Sequence, residues 1–377
     1  MNKKATVAIT KCETYEAEPL NKALREILDS AFLPTVKGKV VLLKPNILSD
    51  AKPEKAITTR PEIIQELIKI LFEKGAKTIY VGDSPGIHGS SFFPRSSGIG
   101  KVCQQEGAIW SEFAKDPVIT PIGGLFKLKF PLPKILNEVD IIISVAKMKT
   151  HQLMYATGAV KNLFGMVVGL HKSASHMRYP TREAFAKMLA GLYGVIKPHF
   201  AVMDAIISME GAGPAAGLPR HTGLLLASND PTAVDVAQSI IMGYEPFSVP
   251  LTKALHNRRL TKWRSVDEID YPLLNANNLV ISDFKLIEQD KKQSLFNALI
   301  VPFFTKYLKK AHRQKEPKPL FDRLLCIGCN RCVEICPAKA IILDSEKKAV
   351  VDYKACIRCY CCHEVCPVNA IEIEKRE

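Results

Sequence analysis

The chain has 377 residues, 47% of them hydrophobic and 24% charged, with a formal net charge of +14. That length accommodates two or three domains and a substantial core, and the composition excludes a disordered or low-complexity chain. No apolar run reaches membrane-spanning length and the opening MNKKATVAITKC lacks an export-type apolar segment, so cytoplasmic residence is expected.

Ala5 to Thr10 reads as a short strand, and Leu20 to Phe32 has helical periodicity. Lys39 to Leu43 has the apolar run of a buried strand. It opens onto Lys44-Pro45-Asn46, where Pro45 fixes the backbone as polar groups emerge. Pro61 starts a helix that continues through Glu73, with Gly75 as its stop. Thr78 to Val81 forms the next strand and leads into Gly82-Asp83-Ser84-Pro85-Gly86. Strands alternating with helices predict an α/β body over residues 1–290, Rossmann-like, with a mixed or mostly parallel sheet. Ligands in such sheets sit at the carboxyl ends of the strands. The GDSPG loop lacks the full glycine fingerprint and no P-loop is present, so no nicotinamide or nucleotide site is assigned.

Ile87 to Gly124 reads as a loop-rich insertion with one helix from Gly100 to Phe113. Val139 to Val145 is a strong strand whose exit carries Lys147-Met148-Lys149-Thr150-His151, followed by Thr157 to Asn162. Ala201 to Met203 forms a strand ending at Asp204 and approaching Glu210-Gly211-Ala212-Gly213-Pro214, and Gly223 to Ala227 forms another. Asp230 caps a helix with Pro231 in its first turn and Gly243 at its end. Leu279 to Ser282 is expected to return as a core or edge strand. Residues 291–320 form a basic helical or linker segment: Leu299 and Phe303 mark an apolar stripe from Leu295 to Leu308, kinked at Pro302 and flanked by Lys306, Lys309 and Lys310. Packing of this stripe between two domains is favoured over peripheral membrane contact.

Cysteine spacing dominates residues 321–377. Cys326, Cys329, Cys332 and Cys336 precede Pro337, and Cys356, Cys359, Cys362 and Cys366 precede Pro367. Each half reads C-x2-C-x2-C-x3-C-P, the run with which bacterial ferredoxins hold two [4Fe–4S] clusters, the fourth Cys of each run crossing to the other cluster. Cys326, Cys329, Cys332 and Cys366 are therefore assigned to one cluster, and Cys356, Cys359, Cys362 and Cys336 to the second, in a small α+β ferredoxin-like module. A zinc ribbon would need only two short cysteine pairs. Cys361 is left spare, and the isolated Cys12 and Cys103 read as structural thiols. From Asp322 onward nine basic and nine acidic residues cancel, so the positive excess lies upstream. Without a nucleic-acid motif, that charge suits an external electron-transfer partner or an anionic substrate, and no specific nucleic acid is expected.

The upstream motifs resemble the iron–sulfur protein family known as domain of unknown function 362. They are KPN at Lys44 to Asn46, GDSPG at Gly82 to Gly86, KMKTH at Lys147 to His151, TGAVKNLFG at Thr157 to Gly165, EGAGP at Glu210 to Pro214 and NDPTAVD at Asn229 to Asp235. The resemblance spans roughly Ala5 to Asp283 and implies a ferredoxin module attached to this body, but no reaction and no catalytic residue.

Read chemically, Lys44, Asn46, Lys149 and Asn162 form a candidate anion-binding set, suited to a carboxylate or phosphate. His151, Lys147, Lys161 and Asp83 are the candidate catalytic set, with His151 the proton-transfer group because imidazole titrates near neutrality. Asp204 and Glu210 could orient a base, bind a metal or satisfy loops; Asp235 suits its own helix or the loop entering it. His171 and His176 are weaker catalytic candidates. The expected function is an iron–sulfur oxidoreductase that relays single electrons to a small carboxylated or phosphorylated substrate, with any flavin or further metal left open. The alternatives are a non-catalytic electron-transfer subunit and a redox-gated lyase or isomerase.

Overall fold

The computed structural model describes residues 4–85, 92–122, 128–169, 171–289 and 317–374. The chain opens with β1 (Val7–Lys11), α1 (Ala17–Ser30), β2 (Val40–Pro45), α2 (Pro61–Glu73) and β3 (Thr78–Asp83). Pro61 occupies the first turn of α2, and Gly75 takes the left-handed conformation at φ 86° that ends it. α3 (Ile99–Gln105), β4 (Ile109–Glu112) and a ribbon of β5 (Val118–Ile122) and β6 (Leu128–Leu132) follow. Then come β7 (Ile141–His151), β8 (Tyr155–Ala156), α4 (Ala159–Asn162), α5 (His171–Arg178) and α6 (Arg182–Ile196). The body closes with β9 (Phe200–Glu210), β10 (Leu218–Ser228), α7 (Pro231–Met242) and α8 (Pro250–Asn257).

The main sheet runs β1-β10-β9-β7-β2-β3-β4, with β8 paired to the end of β7. Neighbours from β9 to β4 are parallel, and β10 pairs antiparallel with both β9 and β1. The sheet is thus mixed and mostly parallel, as the alternation of elements predicts. The chain leaves β2 toward β3 and β4 on one side and returns to β7 and β9 on the other. The β2/β7 boundary is therefore a topological switch point, where a crevice opens at the carboxyl ends of the strands.

Each strand divides its side chains between two cores. Val41 and Leu43 pack with Leu24, Ile64 and Leu67 of α1 and α2, whereas Leu42 packs on the opposite face with Leu163, Phe185 and Leu189. The α7 end has its own core around Met203, Leu226 and Val236. Asp230 caps α7 by accepting from Thr232 N at 3.0 Å, and Gly243 closes it at φ 92°.

Three expectations change. The helix expected over Gly100 to Phe113 stops at Gln105; Gly107 at φ 75° breaks it, and Ile109 and Trp110 pair beside Tyr80 and Val81 as an edge strand. Part of the expected insertion is thus the sheet's own edge. Leu279 to Ser282 forms no strand: a 3-10 turn covers Ala276–Leu279, and Ile281 N donates to Ile241 O at 2.9 Å, so the segment lies against α7. The KMKTH residues do not exit β7 but are its last five positions, in an 11-residue strand buried along its length. The stripe from Leu295 to Leu308 and most of the basic segment 291–320 lie outside the described residues.

The C-terminal module holds two antiparallel strand pairs. β11 (Pro319–Phe321) pairs antiparallel with β14 (Ile371–Ile373), and β12 (Ile341–Leu343) with β13 (Ala349–Val351). Two short helices, α9 (Arg331–Ile335) and α10 (Cys361–Val365), carry the middle of each cysteine run. Cys332, Cys362, Ile341, Ala349 and Ile371 make the small core between them.

Candidate functional site at the junction of body and cluster module

Lys44, the penultimate residue of β2, lies on the face of α4, because it follows Leu42 by two residues. Its Nζ lies 2.8 Å from Asp83 Oδ2, 2.8 Å from Asn162 Oδ1 and 2.7 Å from Pro45 O, with only 1% of the side chain exposed. Asp83, from the end of β3, also accepts from Ile47 N and Ser84 N, each at 2.7 Å. Asn162 returns Nδ2–H bonds to Lys44 O at 2.9 Å and Ser144 Oγ at 3.1 Å, while Asn46 Nδ2 donates to Asn162 Oδ1 at 3.2 Å. Asn46 Oδ1 is buried without a hydrogen-bond partner among the described residues. Burial pulls the Lys44 ammonium below its ordinary range, and the Asp83 carboxylate opposes that pull. Lys44 and Asp83 therefore build the floor of the crevice. Gly165 makes this close packing feasible: a Cβ there would sit 2.2 Å from Asp83 Oδ1 and 2.5 Å from Lys44 Nζ.

Lys147 does not join this group. In register, Lys44 stands beside Ser144, and three residues further Lys147 points to the other face. There its Nζ bonds Asp204 Oδ2 at 2.8 Å, both side chains fully buried, while Tyr15 OH donates to Asp204 Oδ1 at 2.7 Å and Arg60 N to Oδ2 at 3.0 Å. This is a closed ion pair. Lys147 is a correction to the expected convergence, and Asp204 is its counter-charge. Glu210 likewise accepts from Lys285 N at 3.1 Å and pairs with Arg220. Asp235 Oδ1 and Oδ2 accept from Ala159 N at 2.5 Å and Val160 N at 3.1 Å, which fixes the entry of α4. Burial raises this carboxyl to about 7 against those two donors.

The remaining groups face a cavity of roughly 440 Å³, within the range of small-molecule sites. From the body, Lys44, Lys149, His151, Lys161 and Asn162 line it; from the module, Cys329, Arg331, Glu334, Cys361 and Glu364 complete it. Lys149 Nζ donates to Ile57 O at 2.6 Å, and burial together with repulsion from Lys161 holds it well below the ordinary lysine range. Lys161, half-buried on α4, makes no hydrogen bond or carboxylate contact among the described residues; burial lowers it and Glu364 partly restores it.

His151 Nδ1 accepts from Leu153 N at 3.1 Å and Met154 N at 3.3 Å, and burial followed by the neighbouring cations holds the ring neutral. Backbone N–H groups only donate, so the single ring proton must sit on Nε2. That atom faces Glu364 Oε1 at 3.4 Å. His151 is therefore built as a hydrogen-bond donor, with its basic lone pair already committed.

Two further groups emerge from the polar helix α5. Lys172 is 8% exposed, its Nζ donates to Ser84 O, and burial first, then Lys44, lowers it to about 7 against the attraction of Asp83. His176 stacks on Phe185 at 4.5 Å, and burial pushes it down to about 3. His171 does not line the cavity. Sequence periodicity gives α5 no apolar face. A polar helix that is nevertheless buried is the signal that it borders a polar cavity.

The module carries the two cysteine sets. Cys326, Cys329, Cys332 and Cys366 line one small cavity, and Cys336, Cys356, Cys359 and Cys362 line another. Each void thus gathers three cysteines of one run and the fourth of the other, with Cys361 also on the second. Among the described residues, no three His, Cys, Asp or Glu side chains converge as a single metal ion would require, whereas sulfurs arranged around a void suit a cubane. Cys361, the spare thiol, borders both the second void and the large cavity; Cys329 borders the first void and the same cavity. His363 pins the module: one ring nitrogen lies 2.6 Å from Ile371 O and the other 3.0 Å from Ala212 O of the body. Cys12 and Cys103 are buried away from both sites.

Among the described residues no helix is long and apolar enough to cross a membrane. Residues 320–373 match the 4Fe-4S dicluster domain, an iron–sulfur electron-transfer module, and residues 41–239 match the domain of unknown function DUF362. A thylakoid-associated protein of Synechocystis sp. is 32% identical over 287 residues, covering 75% of this chain and 88% of that one. Among solved structures, a Thermotoga maritima protein aligns with a TM-score of 0.38 at 14% identity, over 56% of this chain and 55% of that one. The lactate racemase apoprotein from Thermoanaerobacterium thermosaccharolyticum aligns with a TM-score of 0.39 at 12% identity, over 57% and 54%. By the extent of the family match and of the Synechocystis relative, the chain belongs to the DUF362 family, with a 4Fe-4S dicluster domain at its carboxyl end.

Proposed function

We propose that the protein is an iron–sulfur oxidoreductase that reduces a small anionic substrate held in the cavity between body and module. The observation that carries this reading is the shared wall: the same cavity is lined by Lys149 and Lys161 of the body and by Cys329 and Cys361, which also border the cluster voids. Two [4Fe–4S] clusters, held by the two cysteine sets, would supply single electrons from an external carrier.

The chain's own residues do the rest. Lys161 and Lys149 offer cationic donors to a carboxylate or phosphate, and their charges cost less once an anion is bound. His151 Nε2–H, neutral and fixed, donates to an oxygen of the substrate that gains charge, as a preorganised electrophile. Lys44 and Asp83 position the floor, and Lys147 acts from outside the cavity by holding β7. The carboxylate of Glu364 excludes a second anion from the module side.

The test is an anaerobic titration of the reduced, cluster-replete protein with small oxo acids, unsaturated carboxylates and phosphate esters, followed by electron paramagnetic resonance. One chemical class should reoxidise the clusters, at higher concentration in Lys161→Met. If only protein carriers reoxidise them and no anion perturbs the spectra, the chain is a relay subunit and the reading fails.

A further inference from the structure

Lys149 and Lys161 serve the anion and Lys44 is paired with Asp83 in the floor, which leaves the amine of Lys172 among the lysines that line the cavity. Lys172 reaches it from α5, and Lys161 from α4. Among the described residues its Nζ meets a backbone carbonyl, Ser84 O, and no carboxylate oxygen within ion-pair reach. A carbonyl acceptor is satisfied equally by an amine or an ammonium, so the site does not demand the charged form.

We propose that Lys172 is a nucleophile that condenses with the carbonyl of a small oxo acid to form an imine, while Lys161 and Lys149 hold the acid's carboxylate. This names the substrate class of the cavity and rests on reading that cavity as an anion site. Desolvated lysines beside a second cation are the ones that act as amine nucleophiles. The charged groups acting on Lys172 are Asp83 and Lys44 of the floor; His176, one turn along its own helix, and Lys161 of α4 line the same cavity. Burial and Lys44 outweigh Asp83 and lower the ammonium to about 7, so that the amine form is far more accessible near neutrality than in an ordinary lysine.

The step balances without an oxidant or reductant. The Nζ lone pair forms the C–N bond as the carbonyl π pair moves to oxygen, and one N–H proton shifts to that oxygen. The hydroxyl then leaves as water with a second proton, and the nitrogen lone pair closes the C=N bond.

The experiment is reductive trapping. Cluster-replete protein is incubated anaerobically with pyruvate, acetoacetate or succinate semialdehyde and sodium cyanoborohydride, which delivers hydride to an imine carbon. Intact-mass and peptide-mass measurements then locate the adduct. At least one oxo acid should add once per chain, at Lys172, tenfold or more faster than at any surface lysine or in urea-unfolded protein. Lys172→Arg, which keeps the charge, should lose the adduct and retain its iron. No adduct with any of the three, or labelling spread over surface lysines at the unfolded rate, overturns the proposal. Butyrate, which has no carbonyl, reports the anion site alone through protection against thermal unfolding. If butyrate binds and Lys172 stays unlabelled, the imine falls and the anion cavity stands; if neither occurs, both readings fall.

Discussion

Lys161→Met separates a ligand-binding cation from a structural one by the sign of two effects. Lys161 stands half-buried at the cavity wall without a hydrogen bond or carboxylate contact among the described residues, and burial already disfavours its charge. Methionine fills similar volume without that charge, so the folded protein should be unchanged or gain about 0.5–2 kcal/mol. An anion bound by this ammonium loses a charge-assisted hydrogen bond worth about 1.5–3 kcal/mol, which weakens affinity about 10- to 150-fold. Lys147→Met should behave oppositely. It leaves Asp204 buried without the cation 2.8 Å away, a loss of about 3–5 kcal/mol, yet it removes nothing from the cavity. Urea unfolding of both variants, with iron content verified, gives the first quantity. Calorimetric titration with whichever of butyrate or phosphate protects the wild type gives the second. Destabilisation by several kcal/mol in Lys161→Met with unaltered anion affinity would refute the reasoning.

Gly165→Ala should destabilise the body by about 1–3 kcal/mol and weaken anion binding with it, because the new methyl overlaps Asp83 and Lys44; urea unfolding and the same titration check both. Asp235→Asn should cost about 1–3 kcal/mol, since one of two buried N–H donors then faces an amide donor. Its carboxyl is raised in the fold from 3.8 to about 7, so its stabilising contribution is complete below pH 3.8 and lost as pH rises through 7. Asp235→Asn should remove that component of the pH dependence, measured as unfolding free energy across this window. Cys366→Ala should damage the cluster of Cys326, Cys329 and Cys332, and Cys336→Ala the cluster of Cys356, Cys359 and Cys362, each variant retaining the other cluster's resonance signal. Loss of the run-mate cluster instead would overturn the crossed assignment. The trapping rate at Lys172 should reach half its maximum near pH 7, falling as acid protonates the amine.

Periodicity and punctuation settled much of the body. Pro61, Asp230, Gly75 and Gly243 act through their own backbone geometry, so the bounds of α2 and α7 were legible without tertiary contacts. The segment after Gly107 was not. A short run such as Ile109 to Glu112 gains strand character only from the parallel edge of β3 beside it. Residues 279–282 erred the other way: their apolar character reflects packing on α7, which no alternation records.

The site divides along the same line. Cluster chemistry is written in the sequence because ligand spacing within each run is local, and the crossed fourth ligands follow from that repeat. Which lysines meet a ligand was not written there. Lys44, Lys147 and Lys149 read alike as basic residues at strand ends. Strand parity turns Lys147 away from Lys44 and onto Asp204, and the register shift between Lys147 and Lys149 carries Lys149 on to the end of β7 beside Lys161. Lys172 was silent because only the docking of α5 over Ser84 removes its ammonium from water. The sequence by itself determined an α/β body, two cysteine sets and a basic excess. The tertiary structure alone decided that the cluster module closes the cavity, because that wall joins Lys44, Lys149 and Lys161 to Cys329, Cys361 and Glu364, residues far apart in the chain that are brought together by packing rather than by any local rule.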